Sequence, residues 1–261
     1  MNRNFIEELP GIYKENITSS WNKSKQDAVF ASFPNCIPTQ VIYVYESLGI
    51  GQLFKHQADS IRHILNGKNV VIATGTASGK SLCYQLPIIA SFCQNKNNTS
   101  LMLFPTKALS MDQYKSLLHQ IQKFNDLDSS GQEDIKIGIY DGDTNPSEKT
   151  TIRKKANVVL SNPDMLHVGI LPHHPSWEHF FQDLKYIILD EIHIYTGIFG
   201  SHIANVIRRL KRITQFYGSL PQFILTSATI GNPKEFAEKL TEEECILISN
   251  DFSSQNEKTY V

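Results

Sequence analysis

The stretch Ala73-Thr74-Gly75-Thr76-Ala77-Ser78-Gly79-Lys80-Ser81 constrains this chain more than any other. It follows an apolar run, Asn69-Val70-Val71-Ile72, and leads into a helix-like run, Ser81-Leu82-Cys83-Tyr84-Gln85-Leu86. Strand, glycine-bearing turn and helix, in that order, make a cradle for phosphate. Backbone N–H groups of the turn and the positive end of the helix face the anion. In such a loop Thr76, Ala77, Ser78 and Gly79 line the nucleotide, Lys80 reaches the β- and γ-phosphates, and Ser81 ligates Mg²⁺. The general formula wants glycine where Thr74 stands, and Gly75 comes one place late. Taken alone, the stretch also reads as an ordinary helix start.

Composition narrows the setting. With 261 residues and 41% hydrophobic content, the chain can build one large domain, or one domain with an extension, around a packed core. Its formal charge of -1 provides no global basic field, so any nucleic-acid contact must come from local groups. Cys36, Cys83, Cys93 and Cys245 are scattered, with no C-x-x-C, and are expected to be buried free thiols in a reducing compartment. No apolar run approaches the roughly 18 residues of a membrane span. Met1–Pro10 carries Glu7 and Glu8 where a signal peptide needs an apolar core. The expectation is a soluble cytoplasmic protein.

Residues 1 to about 50 read as an irregular arm, anchored by Trp21, Phe30 and Phe33 and broken by Pro34 and Pro38, with a short helix over Val41–Leu48. Gln57–Leu65 reads as a helix with Gly67 past its end. Strand-like runs follow at Val70–Ala73, Leu101–Phe104, Ile135–Tyr140, Val158–Leu160, Tyr186–Leu189, Phe223–Leu225 and Ile246–Ile248. Helical runs lie between them at Lys80–Phe92, Ala108–Phe124, Ser147–Lys155, His202–Phe216 and Lys234–Leu240. Apolar strands alternating with helices predict an α/β fold with a largely parallel sheet covered by helices on both faces. Ligands of such folds sit beyond the carboxyl ends of the strands. Asn125–Glu133 is polar and reads as a surface loop. For His167–Asp183, a loop packed through Trp177, Phe180 and Phe181 is preferred to a metal site, because His173, His174 and His179 have no carboxylate or cysteine at a familiar ligand spacing.

Three further motifs fall at strand ends or helix starts. Tyr186-Ile187-Ile188-Leu189 runs into Asp190-Glu191-Ile192-His193. An apolar strand ending in two carboxylates is the partner of a phosphate loop: Asp190 holds Mg²⁺ and Glu191 orients the attacking water. The competing reading is an acidic helix start. Thr226-Ser227-Ala228-Thr229 follows another strand and reads either as a functional hydroxyl cluster or as a turn. Leu53-Phe54-Lys55-His56-Gln57 opens the first helix. The Gln57 amide is able to donate to and accept from an adenine edge while Phe54 stacks on the base, or the segment is an amphipathic helix start.

Together these motifs resemble the first RecA-like domain of a superfamily 2 helicase of the DEAD/DEAH-box type, over about Leu53 to Ser249. Leu53–Gln57 resembles the Q motif and Thr76–Ser81 motif I, where the family itself relaxes the first glycine. Pro105-Thr106-Lys107-Ala108-Leu109 resembles motif Ia, Ser161-Asn162-Pro163-Asp164 motif Ib, Asp190–His193 the D-E-x-H box and Ser227-Ala228-Thr229 motif III. Phe104–Gln113, Tyr140-Asp141-Gly142-Asp143-Thr144, Ser161–His167 and Gly197–His202 are similar to the YprA-like group, which includes mitomycin repair factor A and RecQ-like helicases of yeast and plants.

The resemblance implies ATP and Mg²⁺ as cofactors and 3′-to-5′ movement on single-stranded DNA in a repair pathway. It makes His193, Ser227, Ala228 and Thr229 the residues that couple nucleotide state to nucleic-acid grip. Pro105, Thr106, Lys107, Gly142, Ser161, Asn162, Pro163 and Asp164 would meet the strand, chiefly through helix-start amides on phosphates. Plain N-capping by Thr106 and Asn162 is the bland reading. The alternatives are an RNA helicase of the same fold and a nucleotide- or DNA-binding module without turnover. The expected organisation is an N-terminal accessory arm over 1–50, a RecA-like ATP-binding domain over 51–250 and a polar tail over 251–261. Motifs IV to VI of a second RecA-like domain, with its arginine finger, have no counterpart after Thr229. The chain therefore reads as the N-terminal piece of a longer helicase.

Overall fold

The structure, a computed structural model, describes residues 21–128 and 133–260. The expectation drawn from Met1–Pro10 therefore lies outside the described residues. The arm forms β1 (Trp21–Lys23), β2 (Phe30–Ala31) and α1 (Thr39–Ser47), followed by β3 (Leu53–Phe54) and α2 (Lys55–Leu65). All seven expected strands then form: β4 (Val70–Ile72), β5 (Thr99–Leu103), β6 (Ile137–Ile139), β7 (Val158–Ser161), β8 (Leu184–Leu189), β9 (Gln222–Thr226) and β10 (Ile246–Ile248). The helices between them are α3 (Lys80–Gln94), α4 (Lys107–Leu127), α5 (Pro146–Lys155), α6 (Gly197–Phe216) and α7 (Pro233–Thr241), and β11 (Lys258–Tyr260) ends the description.

The strands make one parallel sheet in the order β10-β4-β9-β8-β5-β7-β6. Alternate strand residues face opposite layers. Val70, Ile72, Met102, Ile188 and Ile224 pack with α1 to α4, whereas Val71, Leu103, Ile187, Leu189 and Leu225 pack with α6, α7 and the 166–184 segment. Burial on both faces is why these strands read as continuous apolar runs instead of alternating ones. The fold is the expected RecA-like α/β architecture.

Several boundaries and environments differ from the reading. Helix α6 starts at Gly197 and not at His202. Gly200 lets that first turn form, since a Cβ there would stand 2.1 Å from Tyr195 O. The segment expected as a loop after Leu166 is instead a chain of short helical turns, Leu166–Ile170, Leu171–Trp177 and Glu178–Gln182. Pro172 and Pro175 keep it from becoming one helix, and Trp177, Phe180 and Phe181 are buried beneath it as expected. Helix α4 continues to Leu127 into the stretch read as a polar loop, of which residues 129–132 lie outside the description. Cys36 and Cys93 are exposed, against the expectation of burial. Cys36 sits in the turn before α1 and Cys93 near the exposed end of α3, while Cys83 and Cys245 are buried. All four are free thiols. Among the described residues no helix is long and apolar enough to cross a membrane.

Candidate functional site

The loop after β4 has the geometry of an anion cradle. Ala77 and Gly79 carry φ angles of +60° and +76°, a backbone that turns successive N–H groups toward one centre. Gly79 is needed for its φ and for space, because a Cβ there would lie 2.5 Å from Gln57 Nε2. Thr74, at the place of the missing first glycine, is buried, and its hydroxyl meets Ser78 Oγ at 2.7 Å. Ser78 Oγ in turn donates to Gly75 O at 2.8 Å. The threonine thus closes the loop from within. Ser78 points its side chain inward, and Thr76 and Ala77 form the exposed crest. Lys80 Nζ donates to Thr74 O at 3.1 Å and Gly75 O at 2.8 Å, which leaves one ammonium hydrogen for a ligand.

The Q-like segment supports this loop from the side. Phe54 N–H donates to Gln57 Oε1 at 2.8 Å, and Gln57 Nε2 donates to Gly79 O at 2.9 Å. One lone pair and one N–H of the amide remain for an adenine edge. A cavity of about 520 Å³ opens here, lined by Phe30, Gly51, Phe54, Gln57 and Leu82 among others. Phe54 stacks on Phe30 at 5.2 Å and on His56 at 5.7 Å. Both rings line this cavity, and the more exposed is Phe30, at 54%, a residue read from sequence only as an anchor of the arm.

At the end of β8, Asp190 is buried, and its Oδ1 accepts a hydrogen bond from the Thr226 hydroxyl. The same hydroxyl accepts from Glu191 N–H at 3.2 Å. Burial pushes the Asp190 carboxyl up to about 6, the Thr226 hydrogen bond opposing it, Glu191 adding to it and Lys80 opposing it. Glu191 adopts a left-handed backbone with φ +51°. Its Oε2 lies 3.1 Å from His193 Nδ1, and Ala228 N–H points at that same nitrogen from 3.3 Å. One nitrogen serves only one of them: protonated, Nδ1 donates to Glu191, and unprotonated, it accepts from Ala228. Ser227 is buried with its hydroxyl unpartnered, and Thr229 is exposed.

The oxygen donors at the ends of β8 and β4 fit Mg²⁺. Asp190 is a buried carboxylate that a cation would relieve, and Ser81 contributes a hydroxyl at the start of α3. Hard oxygen donors of this kind suit Mg²⁺, which keeps several waters and takes one or two protein ligands plus phosphate. No group of three His, Cys, Asp or Glu able to hold a metal by itself occurs among the described residues, and this mode of binding needs none.

The second cluster lies at the ends of β5, β7 and β6. Thr106 caps α4 by accepting from Leu109 N–H at 3.3 Å, and Asn162 caps the turn Pro163–Met165 by accepting from Met165 N–H at 2.8 Å. Lys107 forms an exposed ion pair with Asp143, its ammonium pKa raised by that hydrogen bond. Gly142 is exposed with nothing within 4 Å of where a Cβ would be. Asp164 is exposed and Pro163 buried. Ser161 is buried, and its hydroxyl donates inward to Tyr140 O at 2.6 Å, so it holds β7 to the end of β6 and presents no hydroxyl to a strand.

Sequence reasoning missed the groups that connect these parts. His56 lies within Leu53–Gln57 with no role legible from sequence, yet it is fully buried, with Nε2 3.0 Å from Ser78 O and Nδ1 accepting from Phe252 N–H at 3.2 Å. A buried chain of side chains joins α3 to α4 and α1: Tyr84 and Gln85 each donate to Gln113 at 2.9 Å, Gln120 donates to Gln85 at 2.7 Å and Tyr45 donates to Gln120 at 2.8 Å. The one available signal was polar residues on otherwise apolar helix faces.

Residues 54–236 match the DEAD/DEAH box helicase family model. The chain is 45% identical over 256 residues to the uncharacterized ATP-dependent helicase YprA of Bacillus subtilis, covering 98% of this chain and 33% of that protein. It is 42% identical over 212 residues to ATP-dependent helicase hrq1 of Schizosaccharomyces pombe, covering 81% and 20% respectively. A crystal structure of the DUF1998 helicase MrfA bound to DNA matches with a TM-score of 0.89 at 43% identity, over 98% of this chain and 35% of that one. The chain thus spans about a third or less of the length of these relatives.

Proposed function

The chain belongs to the DEAD/DEAH box helicase family, and we propose that it is the ATP-binding and single-stranded-DNA-binding half of a DNA helicase motor. One observation carries this reading. The phosphate loop, the Asp190–Glu191 pair and the Ser227–Thr229 segment stand at the ends of three neighbouring strands, β4, β8 and β9, and the Thr106 cap, the Asn162 cap and the Gly142 turn stand at the ends of the next three, β5, β7 and β6. DNA is favoured over RNA because the similar MrfA structure is bound to DNA. The 3′-to-5′ direction and a repair role rest on resemblance to the YprA-like group. Free cysteines fit a reducing, cytoplasmic setting.

In this reading the crest amides and Lys80 bind the phosphates, Lys80 through the ammonium hydrogen that the loop carbonyls leave free. Ser81 and Asp190 would hold Mg²⁺, which when bound offsets charge building on the transferred phosphoryl group. Glu191 orients the attacking water. Gln57 reads the adenine edge while Phe30, packed on Phe54, supports the base. His193 alternates between Glu191 and Ala228, so the state of the nucleotide is felt in motif III. Thr106, Lys107, Gly142, Asn162 and Asp164 face the strand, buried Pro163 starts the turn that presents Asn162 and Asp164, and Lys107 exchanges Asp143 for a phosphate. None of these groups reads base edges, so binding is indifferent to sequence. Residues 51–250 form the ATP-binding domain, 1–50 an accessory arm and 251–261 the segment that follows. Turnover at motor rates requires a second RecA-like domain to supply an arginine finger, worth on the order of 10³ to 10⁵ in rate.

The test is equilibrium binding of ATP–Mg²⁺ to this chain, with matched DNA and RNA single strands in competition. Saturable nucleotide binding and displacement of RNA by DNA are expected. Absence of nucleotide binding removes the reading, and preference for RNA redirects it to an RNA motor.

A further inference from the structure

The segment after β10 does not leave the domain freely. Asp251 Oδ2 accepts the Gly75 N–H of the phosphate loop at 3.2 Å. The carboxylate is itself held in place. Its Oδ1 accepts from Ser253 N–H at 2.9 Å and Ser253 Oγ at 2.6 Å, and its Oδ2 also accepts from Gln255 Nε2 at 3.2 Å. Gln26 Nε2 donates to Asp251 O at 2.7 Å, and Val29 N–H donates to Phe252 O at 3.0 Å, which fastens the segment to the arm.

A second tie comes from the next residue. Phe252 N–H donates to His56 Nδ1, which puts the ring proton on Nε2, where it faces Ser78 O. Burial lowers the His56 pKa, with the Ser78 carbonyl acting against it, in keeping with a neutral ring that donates on one side and accepts on the other. The segment therefore grips the phosphate loop at Gly75 and, through His56, at Ser78. Between those two points lies the exposed crest, Thr76 and Ala77.

Gly75 fits this arrangement. Its φ is not in the left-handed region, so the backbone does not demand glycine. A Cβ there would stand 2.8 Å from Asp251 Oδ2, so close approach of the carboxylate does. The glycine that comes one place late for a phosphate-loop formula is in place for Asp251.

We propose that Asp251 is a positioning residue for nucleotide binding, and that the 251–255 segment holds the phosphate loop in its ligand-ready shape from both flanks of its crest. The inference rests on the assignment of this loop to ATP phosphates. Coupling of this kind is reciprocal: nucleotide orders the segment as much as the segment orders the loop. In a protein that continues past this point, order in the following chain is felt at the phosphates.

The experiment is titration of this chain with ATP–Mg²⁺, comparing wild type with Asp251→Ala, Asp251→Asn, Gly75→Ala and Lys80→Ala, each first checked for an unchanged melting temperature without nucleotide. Asp251→Ala is expected to weaken binding about tenfold, the size of one lost charge-assisted hydrogen bond. Asp251→Asn, which keeps an acceptor oxygen, should recover most of that loss. Gly75→Ala should weaken binding in the wild type and have little further effect in the Asp251→Ala background, a non-additivity that marks direct contact. Amide hydrogen exchange over 251–256 should slow on nucleotide addition in the wild type and not in Lys80→Ala. Tighter binding by Asp251→Ala and Asp251→Asn would overturn the proposal and make the carboxylate an anion competing with phosphate. Unchanged binding in Asp251→Ala alongside lost binding in Lys80→Ala would also overturn it while leaving the phosphate-site assignment intact. Unchanged binding in Lys80→Ala would instead defeat that assignment.

Discussion

The sheet's carboxyl edge divides into two halves built by different means. At β4, β9 and β8 the functional groups are held by partners far away in the chain. Gly75 is bonded to Asp251, Phe252 to His56, and Asp190 to Thr226, at separations of 176, 196 and 36 residues. At β5, β7 and β6 the ties are mostly local. Thr106 caps Leu109 and Asn162 caps Met165, each three residues on, and Asp141 Oδ1 accepts from the N–H groups of Asp143 and Thr144 in a tight turn. The nucleotide half holds two strained non-glycine backbones, Ala77 and Glu191, and a carboxylate pushed up to about 6 by burial. Such features persist only where surrounding structure over-determines them. Under the proposed function the other half would contact a backbone that is everywhere alike, and exposed helix starts suffice for that.

If the halves differ in this way, ligands and mutations should separate them. The largest effect is expected from Lys80→Ala. With ATP at about 100 times its dissociation constant, wild type should gain roughly 2.7 kcal/mol of stability by linkage and the variant none. Equal ATP-induced shifts in melting temperature for both would erase the distinction, because the nucleotide half would then not be where ATP binds. Next comes His56→Ala, expected to cost about 2 kcal/mol in chemical denaturation, since it strips partners from two backbone groups around a fully buried side chain. A cost of only a few tenths would mean that the long-range ties are slack.

Asn162→Ala should cost about 1 kcal/mol, the usual worth of an N-cap, and leave ATP affinity untouched while weakening DNA binding. For the wild type, log DNA affinity should fall with log salt at a slope of roughly -0.7 per phosphate neutralised. A loss of ATP affinity in Asn162→Ala would show that the halves are not independent, and the buried Tyr84–Gln113–Gln85–Gln120 chain would be the first place to look. The smallest effect is in pH. Burial holds the His56 pKa below its ordinary 6.5, so the folded state favours the neutral ring. That contribution is complete above pH 6.5 and is lost as pH falls through 6.5 toward the folded value. Wild type should therefore lose a little stability over this range, and His56→Gln should lose less. A wild type and a His56→Gln variant with the same pH profile would show that Nδ1 is not committed to Phe252.

The local half was the more legible. Thr106 and Asn162 stand next to their helices in the chain, and a cap satisfies an N–H only three residues on, so spacing alone exposes it. In the nucleotide half, Lys80, Ser81, Asp190 and Glu191 were visible because each ends a strand or opens a helix. Their supports were not. Nothing near Asp251 in the chain points to Gly75, and His56 looks like any polar residue at a helix start until its two nitrogens are seen to face backbone groups from different elements. Cys36 and Cys93 were misjudged for the same reason: a thiol's burial depends on what packs over it. Phe30 was read as an anchor, yet it is exposed beside the cavity at Gln57.

By itself the sequence determined the order of strands and helices, the parallel sheet and the carboxyl-edge position of each motif, because these follow from apolar runs, turn glycines and short-range capping. Only the tertiary structure decided how the loop after β4 is held, why Thr74 and Gly75 occupy their places, which aromatic side chain is most exposed at the cavity beside Gln57 and which hydroxyls turn inward. Those are pairings between residues tens to hundreds of positions apart. They arise when the sheet brings β10, β4, β9 and β8 side by side, and a hydrogen bond across that distance leaves no periodic trace in the chain that makes it.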